Sequence, residues 1–287
     1  MRSFLFALLL FPAVALAQEA HLGPAPSKLA TRDSTAAEWN LSLTADQRTY
    51  YLGREYGNHA FSLLPSLTYS HPSGFYGTLS GYYFHASEPP HYAFTDLELG
   101  YTNDITTHWA YSLSYDRVFF SPPLTSTDKL LPNGLEAYTS YDLGPLQAAV
   151  DYNFFFGSIS AQTINLALRD KLRKAGLLGL ELEQVSLLPG AEVVWGSPLA
   201  LARYGGTYSP ASATTTSVRG RRKTTQAAAG QLVRLLGYEL TLPLEIDSGV
   251  EAYTLTGHYV VPRRTPDDVA APLPTDAYLS LQTDFTF

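Results

Sequence analysis

The sequence predicts an all-β fold, a transmembrane antiparallel up-and-down β-barrel of about 12 strands within a range of about 10–14. Three observations lead to this fold class. Apolar and polar residues alternate in short segments along most of the chain, which is typical of strands with one apolar and one polar face. The connections between these segments alternate between short and long, and the last segment ends on the aromatic residue Phe287.

The composition fits a strand-rich exported chain. Its 287 residues include 20 Tyr, 14 Phe and 21 Gly, and only 16% are charged, which favours strands joined by turns. Without cysteine, the fold depends on packing and backbone pairing rather than on disulfides. A formal charge of −7 argues against nucleic acid as a partner. The mean hydropathy of −0.06 is compatible with a barrel, because lumen-facing residues mask the membrane signal in an average.

The N-terminus has the pattern of an export signal. Met1-Arg2 precedes an apolar run over 4–16, and Ala15-Leu16-Ala17 fits a cleavage site. The run is shorter than the ~20 residues of a membrane-spanning helix. We therefore expect three regions: a signal peptide over 1–17, a flexible periplasmic lead over 18–36 and a single outer-membrane barrel domain over 37–287.

Twelve segments are predicted to be strands. Strand 12 shows the alternation most clearly, with Leu279, Leu281, Phe285 and Phe287 on one face and polar residues on the other. An extension of strand 1 to 50–52, a bulge or break in strand 9 near Val185 and a short helix within 169–188 are left as alternatives. The segments cover approximately 38–43, 61–70, 75–85, 92–102, 108–120, 134–142, 146–154, 159–169, 177–195, 231–246, 250–261 and 277–287.

The connections carry independent information, because tight periplasmic turns and longer external loops are typical of outer-membrane barrels. A soluble sandwich has no reason to sort loop lengths in this way. An even strand number places both termini in the periplasm. Only Gly157-Ser158, after strand 7, departs from the alternation. Short connections follow strands 2, 4, 6, 8 and 10, at His71–Gly74, Asn103–Thr107, Leu143–Pro145, Asp170–Gly176 and Asp247–Gly249, and long ones lie at 121–133, 196–230 and 262–276.

The signal-peptide pattern, the alternating strands and the terminal Tyr278-x-x-x-x-x-Asp-Phe285-x-Phe287 resemble Gram-negative outer-membrane β-barrel proteins, in particular barrels of the Bacteroidota type. The resemblance covers essentially the whole mature chain. It implies that Tyr278, Phe285 and Phe287 form a signal for the barrel-assembly machinery after passage through the export machinery, although no Gly lies mid-signal. The block Arg48-x-x-Tyr51-Leu-Gly-Arg54-Glu-Tyr56-Gly57 also resembles that group, without an assigned chemistry.

The alternation also predicts which polar residues face the lumen. The functional interpretation is a lumen that favours cations or hydrogen-bonded polar solutes, and the structural alternative is an interior of paired, hydrated charges. A barrel of about 12 strands lies between side-chain-filled and open barrels, so we expect a narrow or occluded passage. The predicted lumen residues are Asp96, Glu98, Asp116, Glu136, Asp142, Asp151, Arg169, Glu239, Glu245, His258 and Asp284, together with Arg234.

The sequence thus predicts a passive protein, either a narrow solute channel or a structural or surface protein, with no cofactor. The alternative is a barrel enzyme that hydrolyses lipid or peptide. A serine hydrolase requires a nucleophile beside a base, and His71-Pro-Ser73 and His85-Ala-Ser87-Glu88 provide that pairing without an evident oxyanion donor. His85, Glu88 and His91 could bind a metal, but nothing fixes their geometry, and we expect no metal and no catalytic residue.

One basic run lies in the longest connection. Arginine forks match phosphate oxygens, so an external position would direct this run toward lipopolysaccharide; a solvated loop is the alternative. Outer-membrane lipid and lipopolysaccharide are the expected surroundings. The run consists of Arg219, Arg221, Arg222 and Lys223.

Overall fold

The computed structural model describes residues 20–21, 36–52, 54–56, 61–85, 92–121, 131–170, 172–174, 184–187, 189–203, 233–247, 250–263 and 275–287. Twelve antiparallel strands form a closed barrel, which confirms the predicted fold class. Each strand pairs with its neighbours in chain order, and β12 pairs with β1. The strands are β1 Glu38–Asp46, β2 Phe61–Ser70, β3 Phe75–His85, β4 Tyr92–Thr106, β5 Trp109–Phe120, β6 Asn133–Asp142, β7 Leu146–Phe156, β8 Ser160–Asp170, β9 Gly190–Gly196, β10 Arg234–Asp247, β11 Glu251–Pro262 and β12 Asp276–Thr286.

Strands β8 and β9 continue as shorter strands. Leu172–Lys174 pairs with Gln184–Leu187, which also pairs with the end of β10. Strand 9 is therefore in two pieces, which was one of the two alternatives predicted for it. The turn predicted at Asp170–Gly176 is wrong, because strand pairing continues through Lys174.

The last residue of the chain closes the barrel. The backbone N–H of Trp39 donates to the Phe287 carbonyl oxygen, and the N–H of Phe287 donates to the Trp39 carbonyl, both at 2.9 Å. The ladder between β12 and β1 continues from Thr286–Asn40 to Ser280–Asp46. Closure leaves no unpaired edge along β1 or β12, so the terminal aromatic residue is fixed by the backbone ladder.

The outward face of the barrel is apolar. Exposed leucines occupy its middle, and aromatic residues flank them toward both ends. This arrangement corresponds to the lipid-facing band and aromatic girdles of membrane barrels, and strands of 10 or 11 residues such as β2 and β3 have the length of membrane-spanning strands. Representative leucines are Leu41, Leu67, Leu79, Leu97, Leu99, Leu113, Leu135, Leu166 and Leu255, and representative aromatic residues are Trp39, Phe75, Trp109, Tyr141, Phe287, Tyr83, Tyr92, Phe119 and Tyr259.

The two ends of the barrel differ in their connections. We call the end with His71–Gly74 and Leu143–Pro145 the short-turn end, and the opposite end the long-loop end. Gly74 has φ +97°, and a Cβ there would lie 2.2 Å from the Thr102 carbonyl oxygen, so this turn requires glycine. The turn predicted at Asn103–Thr107 is placed too early, because β4 pairs with β5 through Thr106.

At the long-loop end, two segments fold into the lumen. The first, Arg48–Leu52, follows β1, which ends at Asp46; Thr49–Tyr51 therefore does not extend β1 but pairs with Arg54–Tyr56. It also pairs in parallel with Ala20–His21, so these two residues of the predicted flexible lead are in a strand. Leu52 has φ 50°, which reverses the chain direction.

The second inward segment is Pro198–Arg203. It contains the 3₁₀-helix Pro198–Ala202, which begins after Ser197, whose side-chain oxygen accepts a hydrogen bond from the Leu199 N–H. Proline at the first position is suited to this start because it has no N–H to satisfy. No helix in the described parts of the chain is long and apolar enough to cross a membrane.

Candidate functional site in the barrel lumen

The lumen changes character along its length. In the half toward the short-turn end, the inward side chains include many small hydroxyl residues; Thr68 and Thr78, for example, share a hydrogen bond of 3.0 Å between their Oγ1 atoms. These groups pair with one another or with water, so this half has a polar lining. Its inward hydroxyl residues include Ser42, Ser66, Thr68, Thr78, Ser112, Ser140, Thr254 and Thr256.

A group of carboxylates, which we call the acidic wall, faces the middle of the lumen from β4 to β7. Glu98 lies directly opposite Asp116 in the strand register. The Tyr76 hydroxyl donates to Glu98 Oε1 at 2.6 Å, and Asn153 and Asn165 donate to Asp151 Oδ2. The wall consists of Asp96, Glu98, Asp116, Glu136 and Asp151.

The acidic wall is only partly neutralised by its surroundings. Within the described part of the chain, Oδ1 of Asp96 and Oδ1 of Asp151 are buried without a hydrogen-bond partner. A buried carboxylate oxygen without a hydrogen-bond partner is costly, and nearby acids repel one another. This wall therefore favours a positive charge in the adjacent lumen.

The remaining predicted lumen residues also lie at inward positions. Asp142 accepts a hydrogen bond from Gln147 at 3.2 Å, and Asp284 accepts from Gln282 at 2.9 Å and 3.0 Å. Sequence reasoning missed further inward acids, among them Asp46, Glu192 and Asp276. Asp46 follows the predicted end of strand 1, and Glu192 lies directly opposite Glu239. Continued alternation beyond the predicted strand end was the signal for Asp46. The other inward positions are Arg169, Arg234, Glu239, Glu245 and His258.

His258 is the centre of a buried polar cluster on β10 to β12. Its Nδ1 is 2.6 Å from Glu239 Oε1, and its Nε2 is 3.0 Å from Ser280 Oγ. The Tyr278 hydroxyl donates to the same Glu239 oxygen at 3.0 Å. The Tyr278 ring stacks on His258 with 4.1 Å between centroids, and Tyr50 stacks on Tyr278 at 5.0 Å.

The distances from Ser280 to His258 and from His258 to Glu239 are those of a serine-hydrolase triad. Such a triad also requires hydrogen-bond donors for an oxyanion. The residue directly opposite Ser280 on β1 is Asp46, whose Oδ2 accepts a hydrogen bond from the Ser62 hydroxyl at 3.3 Å, so the facing side chain supplies no N–H donor. The Tyr278 ring covers one face of His258. The cluster therefore fits a structural network that supports Tyr50 better than a catalytic centre.

Each inward segment is joined to the barrel by an arginine. Arg203 is 1% exposed, forms an ion pair with Asp116 and lies with its guanidinium carbon 4.2 Å from the centroid of the Phe155 ring. Arg48 forms an ion pair with Asp276, to which the Tyr50 hydroxyl also donates a hydrogen bond. We call these contacts the Arg203 tie and the Arg48 tie.

Apolar side chains fill the lumen around the ties. Tyr51 belongs to a buried cluster with wall residues of β3 to β5, including Tyr82 and Phe94. Leu52 packs both on that cluster and on a second one, which contains Ala200 of the other inward segment. The two segments therefore share one apolar contact region. The second cluster comprises Leu131, Phe155, Ala161 and Ala200.

The hydrolase and metal candidates that lie within the described residues do not form a site in the structure. His71 Nδ1 is 2.7 Å from Ser73 Oγ and accepts from the Ser73 N–H at 3.2 Å, which is a local contact within an exposed turn. His85 is exposed at the end of β3. The described residues contain no group of three or more side chains suited to hold a metal. Outside the described residues lie Ser87, Glu88, His91, Arg219, Arg221, Arg222 and Lys223.

The predicted assembly residues do not share one face. Phe285 and Phe287 alternate with the inward residues of β12 and face outward, whereas Tyr278 faces the lumen and is 4% exposed. The physical reason is the period of two along a strand, which places residues separated by an odd number on opposite faces. Tyr278 therefore packs in the His258 cluster and not in the aromatic girdle.

Comparisons with known proteins give similarities of barrel architecture. No protein-family model matches the chain, and no curated protein matches it. Among solved structures, KdgM porin is similar at TM-score 0.46 and 8% identity, covering 87% of this chain and 99% of that one. NanC porin is similar at TM-score 0.44 and 9% identity, over 88% and 99%. The outer membrane protein OprD from Pseudomonas aeruginosa gives TM-score 0.37 and 10% identity, over 88% and 66%.

Proposed function

We propose that the protein is an integral outer-membrane barrel that acts as a narrow, passive channel preferring small cations. The acidic wall is the observation that carries this proposal, because Asp96, Glu98, Asp116, Glu136 and Asp151 face the lumen from four adjacent strands. The apolar outward face and its aromatic girdles support the membrane location.

Charged side chains in a channel attract ions of opposite sign and exclude ions of like sign. Carboxylates lining low-dielectric walls raise the local concentration of cations. The polar lining toward the short-turn end supplies hydrogen-bonding groups for a hydrated ion. The proposed path therefore combines a hydrated, hydroxyl-lined half of the lumen with an acidic middle that attracts cations.

A second candidate function is a structural or surface role without conduction. The apolar clusters around Tyr51, Leu52 and Ala200 fill part of the lumen, and this observation favours a barrel that remains closed. The two functions differ in one measurable property, the passage of ions.

Planar-bilayer recording of the purified full chain in a salt gradient tests the channel. We expect small openings with a reversal potential of the cation-selective sign. The double variant Glu98→Gln and Asp151→Asn should reduce that preference, because it removes two charges from the acidic wall. Glu251→Gln is the matched control, since Glu251 lies opposite Phe285 and therefore on the outward face of the barrel. Absence of ion passage in all three proteins would favour the structural role.

The hydrolase alternative has a separate test. A fluorophosphonate probe labels an activated serine nucleophile covalently. We expect no labelling of the folded barrel. Labelling that disappears in Ser280→Ala or in Ser73→Ala would identify a reactive serine and contradict the passive role.

We also propose that the protein reaches the membrane through the export and barrel-assembly machineries. The outward Phe285 and Phe287 on the closing strand support an assembly signal at this position. Lipid and lipopolysaccharide are the proposed surroundings, and the run Arg219, Arg221, Arg222 and Lys223 is the proposed lipopolysaccharide contact.

A further inference from the structure

We propose that Arg48 and Arg203 keep the lumen narrow, each by tying one inward segment to one aspartate of the barrel. The effect of the ties on conduction rests on the proposed channel, whereas their effect on the position of the segments does not. Arg203 and Asp116 are 87 residues apart in the chain, and Arg48 and Asp276 are 228 apart. Each tie therefore fixes a connection to a distant strand.

The side chains and backbone around Arg203 fit its guanidinium group closely. The guanidinium lies over the Phe155 ring, and Gly134 leaves the space beside it, since a Cβ at that position would be 2.1 Å from Asp116 Oδ1 and 2.6 Å from Arg203 Nη1. A planar guanidinium combines ion pairing with stacking on an aromatic ring, which an ammonium does less well. These contacts hold Pro198–Arg203 against β5 to β7.

The Arg48 tie acts on the opposite wall. Asp276 receives both the Arg48 guanidinium and the Tyr50 hydroxyl, while the Tyr50 ring stacks on Tyr278 and joins Val260 in a buried cluster. The next residue, Tyr51, packs on β3 to β5. The segment thus spans from β11 and β12 toward β3 to β5 across the lumen.

The two ties cooperate because the segments meet. Leu52 of the first segment packs on the cluster that contains Ala200 of the second. Release of either segment exposes apolar side chains of the other to lumen water, which is unfavourable. The two ties therefore form one constriction, and loss of either enlarges the passage.

The rate at which introduced cysteines react with a thiol reagent tests the positions of the segments and requires no measurement of conduction. The natural chain has no cysteine, so a single introduced thiol gives the only signal. Ala161→Cys reports on the second segment and Val260→Cys on the first, because both wall residues are buried in clusters that include an inward segment. A water-soluble maleimide added to the folded full-length barrel should label both sites slowly.

The ties are then removed in these backgrounds. Arg203→Ala should increase labelling of Cys at position 161 by about 100-fold, since breaking a buried pair leaves a charge without its partner. Arg48→Ala should increase labelling at position 260 by about threefold, the scale of a partly exposed pair. Arg169→Ala is the matched control: it removes a lumen arginine from β8, outside either segment, and should leave both sites protected. A heat-modifiable gel shift verifies that each variant is folded.

A second variant of each tie distinguishes loss of the tie from misfolding. These variants are Asp116→Asn for the Arg203 tie and Asp276→Asn for the Arg48 tie, and the labelling readout is the same. Unchanged protection in the folded tie variants would overturn the inference. Increased labelling together with larger single-channel currents supports both the ties and the channel. Increased labelling with no current in any variant would retain the ties and reject the channel.

Discussion

The two halves of the lumen are built on the same twelve strands but from different side chains. Toward the short-turn end, the inward residues include many serines and threonines such as Ser112 and Thr254, together with charged groups such as Asp142 and Asp284. Toward the long-loop end, the inward wall carries Tyr82 and Phe94, which are 2% and 3% exposed because Tyr51 packs on them. Strand alternation therefore determines which residues face inward, whereas the loops determine whether the interior is hydrated or filled with apolar side chains.

This difference has an energetic consequence. The hydroxyl-lined half can pair with water whether or not a loop is present. The aromatic half would expose apolar surface to water if the inward segments left, at a cost of about 1.5–3 kcal/mol for each large side chain. The long-loop half thus depends on its ties, and perturbations there should affect the finished barrel more than equal perturbations elsewhere.

The largest expected effect comes from Gly134→Ala. The added Cβ would collide with both partners of the Arg203 tie, so the pair separates inside the barrel, and we expect a loss of about 3–5 kcal/mol of unfolding free energy. Urea unfolding of refolded protein, followed by fluorescence of its three tryptophans, measures it. Gly257→Ala is the control, since its Cβ would meet no atom closer than Leu279 Cδ2, at an ordinary 3.6 Å. Equal stability of the two variants would refute the special role of Gly134.

A smaller effect is expected from Tyr50→Phe. The phenyl ring keeps the stack on Tyr278, but the hydrogen bond to Asp276 is lost, which we expect to cost roughly 0.5–1.5 kcal/mol. Tyr50→Ala removes the stack as well and should cost more. Labelling of Cys at position 260 under native conditions compares the two. If Phe releases the segment as fully as Ala, the hydrogen bond rather than the stack holds it.

A still smaller effect is expected from salt, which should weaken the Arg48 tie but not the Arg203 tie. The side chains of Arg48 and Asp276 are 32% and 21% exposed, whereas Arg203 is 1% exposed. Exposed pairs are worth about 0–1 kcal/mol and are screened by salt. Raising NaCl should therefore increase labelling at position 260 and leave position 161 unchanged. An equal increase in labelling at both positions would mean that salt weakens both ties equally despite their different burial.

The barrel itself could be predicted from the sequence because its signals are local. The period of two in each strand gives the inward face, so Glu98, Asp151 and His258 could be assigned to the lumen without knowing any partner. Tyr278 follows the same rule, because it is an odd number of positions from Phe285 and the two side chains lie on opposite faces of the strand.

The sequence predicted a narrow or occluded passage, but the residues that narrow the lumen could not be predicted in the same way. Arg48 and Arg203 lie in connections that have no periodicity, and their partners are on distant strands. The block from Arg48 to Gly57 resembles a block of outer-membrane barrels, but the resemblance assigns it no chemistry. Pairing of a loop residue with a wall residue depends on the three-dimensional path of the loop, which no local pattern encodes.

The smallest effect on the finished barrel is expected at Phe287, although its effect on assembly should be large. Its ring is 71% exposed in the aromatic girdle, and its backbone pairs with Trp39. Because Phe287→Lys keeps that backbone pairing and a charge on the lipid face near an interface costs only about 0–1 kcal/mol, the urea stability of refolded protein should change little. The amount of folded protein in the outer membrane should fall sharply, since the assembly machinery would lose the terminal aromatic residue. Thr286→Lys on the inward face is the matched control and should assemble at higher levels. Normal membrane levels of Phe287→Lys would show that the terminal aromatic residue is not an assembly signal in this protein.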